Sequence, residues 1–268
     1  MSPVPDVVIG VRAAGLAARL VDGGRPGRAR LGAARGGAVD LAAHELAGRL
    51  LANPPDALTL ETSGSTTWVF HRPATVVVTG GSPVLEVENG PAIGWGTPVT
   101  MPTGAVLRVG RVVEGARVHL GVRGGLVALG SGELGVGPEP DGALPGVAAP
   151  RPVLSGEVRV WPGPRLDWFT DDAWRTLTSA SFTVADTSSV GARLLGPVLA
   201  RSVTGELPSE GMVEGAVQVP PDGQPIVMLA DHPVTGGYPV IGVVDPADLW
   251  EVAQAAVGST LRFRTART

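Results

Sequence analysis

The sequence predicts a mainly β protein in two lobes with a few short helices, and three observations carry that expectation. Short apolar or alternating segments recur along the 268 residues, and 39 Gly and 25 Pro supply tight turns between them. Hydrophobic residues make up 44% and charged residues only 17%, enough to fill a substantial core. Connections this short and Gly- or Pro-rich favour barrels or sandwiches over βαβ units.

In chain order, Asp40 is placed to cap a helix over 41–52, with Ala43, Leu46, Ala47, Leu50 and Leu51 on one apolar stripe. Strand patterns follow at 75–79, 84–88, 105–109 and 116–122. In the last of these Val118, Leu120 and Val122 share one face, which puts His119 on the face away from the core. The stretch 130–156 lacks periodicity and is crowded with Gly, Pro and Ala, so the lobes are expected to span 1–152 and 153–268. Further strands read at 157–161, 182–185 and 260–264. Thr170 precedes Asp171 and Asp172, acids suited to a helix N-terminus. Val217 and Val219 alternate with polar neighbours, the Pro220-Pro221-Asp222-Gly223 turn follows, and 225–230 suits a buried strand. Asp245, Pro246 and Asp248 read as N-cap, N1 and an acidic N3 of a helix running to about residue 256.

Composition also excludes chemistry. A net charge of −4 offers no footprint for nucleic acid or an anionic membrane. No cysteine is present, so disulfides and thiolate catalysis are absent. All 21 basic residues are Arg, which removes Schiff-base lysine, the P-loop lysine and any attached biotin. His44, His71, His119 and His232 show no metal-ligand spacing. No signal-peptide pattern or apolar span is visible, so a cytoplasmic protein is expected.

The leading site candidate is the loop from Asp231 to Pro239. Asp231 and His232 adjoin as acid and imidazole, Thr235 offers a hydroxyl, and Tyr238 is the chain's sole tyrosine. Gly236 and Gly237 allow positive φ or close approach to a ligand. The alternative is a turn that only shapes a barrel. Arg25 and Arg35 sit among glycines, either as anion-binding forks or as exposed loop residues. Glu61 ends an alternating segment as a buried or a surface acid, and Glu210 and Gln218 are polar contacts of the site or structural groups.

Ordered blocks along the chain carry a family resemblance. Asp22-Gly23-Gly24-Arg25-Pro26-Gly27, then Gly36-Gly37-Ala38-Val39-Asp40, then Asn53-Pro54-Pro55-Asp56 with Glu61 precede the C-terminal block from Ser209 to Asp248. Together they resemble the allophanate hydrolase subunit 2 family, also described as the C subunit of 5-oxoprolinase or as biotin-dependent carboxyltransferase-like proteins. The resemblance implies two tandem cyclophilin-like β-barrels and a partner related to allophanate hydrolase subunit 1, the B-type subunit. It implies ATP with Mg²⁺ acting on the lactam of 5-oxoproline, with an A-type subunit finishing ring opening to glutamate. Carboxyl transfer from an external biotin carrier, or a regulatory role, is the alternative on the same fold.

The sequence departs from that pattern at cationic positions. Gly130-Ser131-Gly132-Glu133-Leu134 stands where Gly-Ser-Arg-Ser-Thr is usual, and Ser188-Ser189 replaces a polar-Arg pair, although Arg193 is kept as an expected binding residue. His232-Pro233 replaces Arg-Gln, and Val240 stands where Lys is common. Either activity is lost with these cations, or Arg35 or Arg123 compensates.

Overall fold

The structure, a computed structural model, describes residues 7–130 and 132–267; Ser131 therefore lies outside the described residues. Strands account for 41% of the chain and helices for 13%, a mainly β fold with a closed and a nearly closed barrel. Two compact units divide it: the first holds residues up to Gly23 and Asp40–Val153, the second Gly24–Val39 and Leu154 onward. The expected lobes of 1–152 and 153–268 were contiguous, and the segment Gly24–Val39 departs from that. Gly36 N donates to Ala230 O at 2.9 Å and Arg35 pairs with Glu214, which fastens the segment to the second unit.

The first unit contains β1 (Val7–Ala14), β2 (Arg19–Val21), β3 (Thr59–Thr62), β4 (Gly64–Phe70) and β5 (Ala74–Glu88). It continues with β6 (Val99–Met101), β7 (Val106–Val122), β8 (Leu126–Gly130) and β9 (Glu133–Val136). The sheet runs β2-β3-β7-β4-β1-β9-β8, with β5 pairing both β7 and β6. Four expected short strands are thus two long ones, β5 and β7, paired antiparallel across three register shifts between Gly80 and Leu85. Those irregularities account for the sequence break there. A Cβ on Gly81 would lie 2.9 Å from Val112 Cγ1 and 3.0 Å from Glu114 O, so glycine lets the bulged strands approach.

Helix α1 (Leu41–Leu50) covers one face of this sheet, and the Asp40 carboxylate caps it by accepting from Ala43 N at 3.0 Å. Its inward face carries Ala43, His44, Ala47 and Leu50. Ala47, Leu50 and Leu51 pack on Val77, and Thr79 Oγ1 donates to Ala43 O at 2.8 Å. Gly121 permits the close crossing, because a Cβ there would meet Leu51 Cδ1 at 2.9 Å and Ala47 Cβ at 3.2 Å. The other face of the sheet encloses Ile9, Trp68, Phe70, Leu107 and Leu120.

The second unit contains β10 (Glu157–Pro162), α2 (Asp171–Ser179), β11 (Ser181–Thr187), β12 (Gly191–Leu195) and β13 (Glu210–Gly211). After them come β14 (Ala216–Gln218), β15 (Ile226–Met228), β16 (Thr235–Gly236), β17 (Val240–Val244), α3 (Leu249–Ala253) and β18 (Thr260–Thr265). Seven strands close a barrel in the order β10-β17-β14-β15-β12-β11-β18, sealed by the parallel pair β10–β18. Phe182, Phe263, Leu194, Val217 and Ile241 fill it, and the two phenylalanine rings meet edge to face at 5.9 Å. The helix expected to run from Asp245 begins as a 3-10 turn at Pro246–Asp248 and becomes α3, ending at Ala253.

Candidate functional site

In the second unit, the loop expected to carry chemistry is built as a short strand followed by an exposed turn. Thr235 and Gly236 form β16 and pair with Gly211 and Glu210 of β13. Gln218, only 4% exposed, donates its amide to Tyr238 O at 3.0 Å and so fixes the turn from below. The expected positive φ is found at neither Gly236 nor Gly237. Gly236 is needed for space instead: a Cβ would stand 2.3 Å from Met212 Cε and 2.5 Å from Gln218 Nε2. His232 is buried and its Nδ1 lies 2.8 Å from Pro233 O, so the ring donates to the backbone beside it. Asp231 is half-buried, and its Oδ1 lies 3.6 Å from where a Cβ on Gly36 would sit.

Gly237 and Tyr238 line a cavity of about 540 Å³ together with Leu199, Arg201, Val203 and Leu207. The segment before it is pinned, since Ser202 N and Val203 N both donate to Trp168 O, at 2.9 and 3.3 Å. Arg201 gives one guanidinium N–H to Val219 O, while its Nε is buried with no partner. Burial pulls this guanidinium below the usual arginine range, against the opposing pull of Tyr238 and Asp222. Arg201 was not singled out by sequence, because an isolated Arg after an apolar pair matches no motif.

Several expected anion binders are already occupied. Arg35 holds both Glu214 oxygens at 2.7 Å and donates to Gly36 O and Ala38 O at 2.9 and 3.0 Å. Its fork fastens a segment rather than awaiting a ligand. Glu210 accepts both arms of Arg165, which holds its carboxyl below the usual range. Arg193 is exposed on β12, 4.0 Å from Asp222. Arg25 is exposed, with its backbone N–H on Arg35 O at 2.7 Å. Arg123, the suggested compensating cation, donates to the carbonyls of Leu51, Pro140 and Gly142 and pairs with Glu139.

In the first unit, Glu61 belongs to a buried network that sequence reading left undetected. Thr59 Oγ1 lies 2.9 Å from His44 Nδ1 and 3.1 Å from His119 Nδ1. His119 Nε2 stands 3.4 Å from Glu61 Oε2, outside hydrogen-bond geometry, and Arg19 Nε donates to Glu61 Oε1 at 3.1 Å. One hydroxyl carries one proton, so Thr59 can donate to at most one imidazole and the other must donate to it, which couples the two tautomers. The Glu61 charge favours a proton on His119 Nε2. That assignment makes His119 Nδ1 the acceptor and His44 Nδ1 the donor. Arg117, 7% exposed, is pulled below the usual range by burial, opposed by the Glu61 and Asp40 carboxylates.

The expectation that His119 faces away from the core is overturned: it is 0% exposed. Alternation correctly placed it opposite Val118 and Leu120, but α1 covers that second face. Gly121, two residues on and on the same face, was the available signal, since glycine there allows a helix to approach.

Among the described residues no group of three His, Cys, Asp or Glu is arranged to hold a metal ion, and no helix is long and apolar enough to cross a membrane.

Comparison with known proteins sets these geometries in a wider group. Residues 31–132 and 129–265 match the model of the carboxyltransferase domain, subdomain A and B. The chain is 31% identical to the C subunit of 5-oxoprolinase from Escherichia coli, over 93% of this chain and 88% of that protein. It is 26% identical to urea amidolyase of Saccharomyces cerevisiae over 90% of this chain, but only 16% of that much longer protein. A structure solved as TTHA0988 superposes with a TM-score of 0.85 at 34% identity, over 97% of this chain. The chain spans about half of that solved chain, 55% of its length.

Proposed function

The chain belongs to the carboxyltransferase family of subdomains A and B, and from that premise we propose that it is the C-type subunit of an ATP-dependent 5-oxoprolinase. In this reading it acts in the cytoplasm with a B-type partner, and an A-type subunit finishes the opening of 5-oxoproline to glutamate. The observation that carries the reading is the match to nearly the whole of a stand-alone subunit, rather than to one segment of a multidomain enzyme.

The chemistry divides accordingly between the chains. A lactam is a poor electrophile, and ATP with Mg²⁺ supplies activation of its oxygen. The chain has no lysine to cradle a triphosphate, and Arg19, Arg35, Arg159 and Arg165 are already paired with carboxylates. We therefore assign the nucleotide to the partner and substrate holding to this chain. The missing family cations then cost no nucleotide contact here.

The test is ATP hydrolysis by the co-purified pair of this chain and its B-type partner, with the A-type subunit present or omitted. The reading expects 5-oxoproline to stimulate hydrolysis and glutamate to appear only when the A-type subunit is present. A stable pair with no 5-oxoproline-dependent turnover would reject it. The similarity to urea amidolyase favours one second reading, carboxyl transfer from biotin. Because the chain lacks lysine, that biotin would ride on another protein.

A further inference from the structure

The cavity beside Tyr238 combines features that a surface dimple lacks. Its walls mix polar and apolar surface, the apolar part from Leu199, Val203, Leu207 and Pro221, and its volume of about 540 Å³ admits a small organic molecule with room for water. Its floor is anchored: Leu199 N donates to Gly223 O at 3.0 Å, and Gln218 fixes the Tyr238 carbonyl. Arg201 is the cation on this cavity. Arg159, Arg165 and Arg264 of the same unit each hold a carboxylate, whereas among the described residues no carboxylate pairs with Arg201. Arg201 is partly buried, and beyond its bond to Val219 O its guanidinium has no neutralising partner among the described residues, a deficit that an anion in the cavity offsets. Glu206, exposed on the same cavity, opposes a second negative charge.

We propose that this cavity binds a small organic monocarboxylate, with its carboxylate on Arg201 and its ring or short apolar body against Leu199, Val203 and Tyr238. 5-Oxoproline is such a molecule, a monoanion on a five-membered lactam ring. Naming it as the occupant rests on the proposed function; the carboxylate site itself does not. Val203 and Tyr238 are 38% and 45% exposed, so the apolar wall is open to a ligand entering from solvent.

The experiment is calorimetric titration of the full chain with 5-oxoproline, with its uncharged methyl ester and with benzoate. Both acids are expected to saturate, and the ester to bind at least about tenfold more weakly, the scale of one charge-assisted hydrogen bond. Arg201→Gln is expected to weaken acid binding to the same degree. Because that change also disturbs the bond to Val219 O, Val203→Trp is the second variant. It fills the cavity from an exposed position and should abolish binding with the unfolding midpoint retained.

Equal affinity for ester and acid, binding untouched by Val203→Trp, or binding of neither acid would overturn the site. Binding of benzoate without 5-oxoproline would uphold the carboxylate site and reject 5-oxoproline as its occupant. The turnover assay judges the proposed function separately.

Discussion

The first barrel keeps polar side chains inside, between β3, β7 and α1, where His44, Thr59, Glu61 and His119 are each at most 4% exposed. The second also buries Glu251, Gln218 and His232, but pairs Arg159–Asp248, Arg165–Glu210 and Arg264–Glu157 nearer the surface and leaves Arg201 on an open cavity. The difference is physical. A buried polar group must be bonded by its own protein, since desolvation otherwise costs about 1–3 kcal/mol, and a network bonded that way is fixed. A cation at the edge of solvent can exchange water for a ligand. The cavity of about 230 Å³ in the first unit is lined by Arg72 and by Arg123, whose guanidinium is already consumed by three carbonyls and Glu139. The proposed anion site therefore falls in the second barrel, while the polar network of the first serves to hold its shape.

The largest effect should come from the first barrel. Thr59→Val strands the facing nitrogens of His44 and His119 and is expected to cost about 3 kcal/mol of stability. Denaturant titration reads this directly, and a loss below about 1 kcal/mol would mean the network is not the support described. Next come the glycines that allow close packing. Gly121→Ala presses a methyl on Leu51 and Ala47, and Gly236→Ala presses one on Met212 and Gln218. Each should cost about 1–3 kcal/mol, but only Gly236→Ala should weaken 5-oxoproline binding, by loosening the turn at Tyr238. Equal binding losses in both variants would erase the contrast between the barrels.

A smaller effect is expected from acid. The Arg159 guanidinium holds Asp248 below the usual carboxylate range, Arg165 does so for Glu210, and Arg264 for Glu157. A lowered folded pKa contributes stability that is present above the unfolded value, about 4, and is lost as pH falls through the folded value. The second barrel should therefore weaken below about pH 4. Unfolding midpoints between pH 5 and 2 should fall less steeply in Arg159→Gln than in the parent chain. Parallel curves would remove the Arg159–Asp248 pair from the account. Smallest of all, Tyr238→Phe should leave stability within about 0.5 kcal/mol, since the ring is exposed. It should nonetheless lower 5-oxoproline turnover in the reconstituted complex, and unchanged kinetics would take the phenol out of the site.

Much of the fold was legible because local chemistry and tertiary structure agree. Asp40 caps α1 as its position suggested, and the patterns near 157–161, 182–185 and 260–264 became β10, β11 and β18. The failures have a common cause in groups whose role depends on what covers or meets them. Strand alternation gave His119 the right face but could not show that α1 lies over it. Arg35 reads as an anion binder among glycines until Glu214, 179 residues away in sequence, takes its fork. Val217 and Val219 signalled a strand, yet Gln218 between them is also buried, because its amide is used to hold Tyr238 O. Tyr238 and Gly237 were identified on composition and resemblance. Arg201 has no local signature, and only the folded segment around it makes it a candidate.

The measurement that tests the contrast most directly is backbone hydrogen exchange of the full chain with and without saturating 5-oxoproline. Protection confined to residues 198–207 and 236–239, with 44, 59–61 and 117–121 unchanged, is the predicted result. Protection centred on the His44–Thr59–His119 network, with the 198–207 segment unaffected, would contradict it and move the ligand to the first barrel.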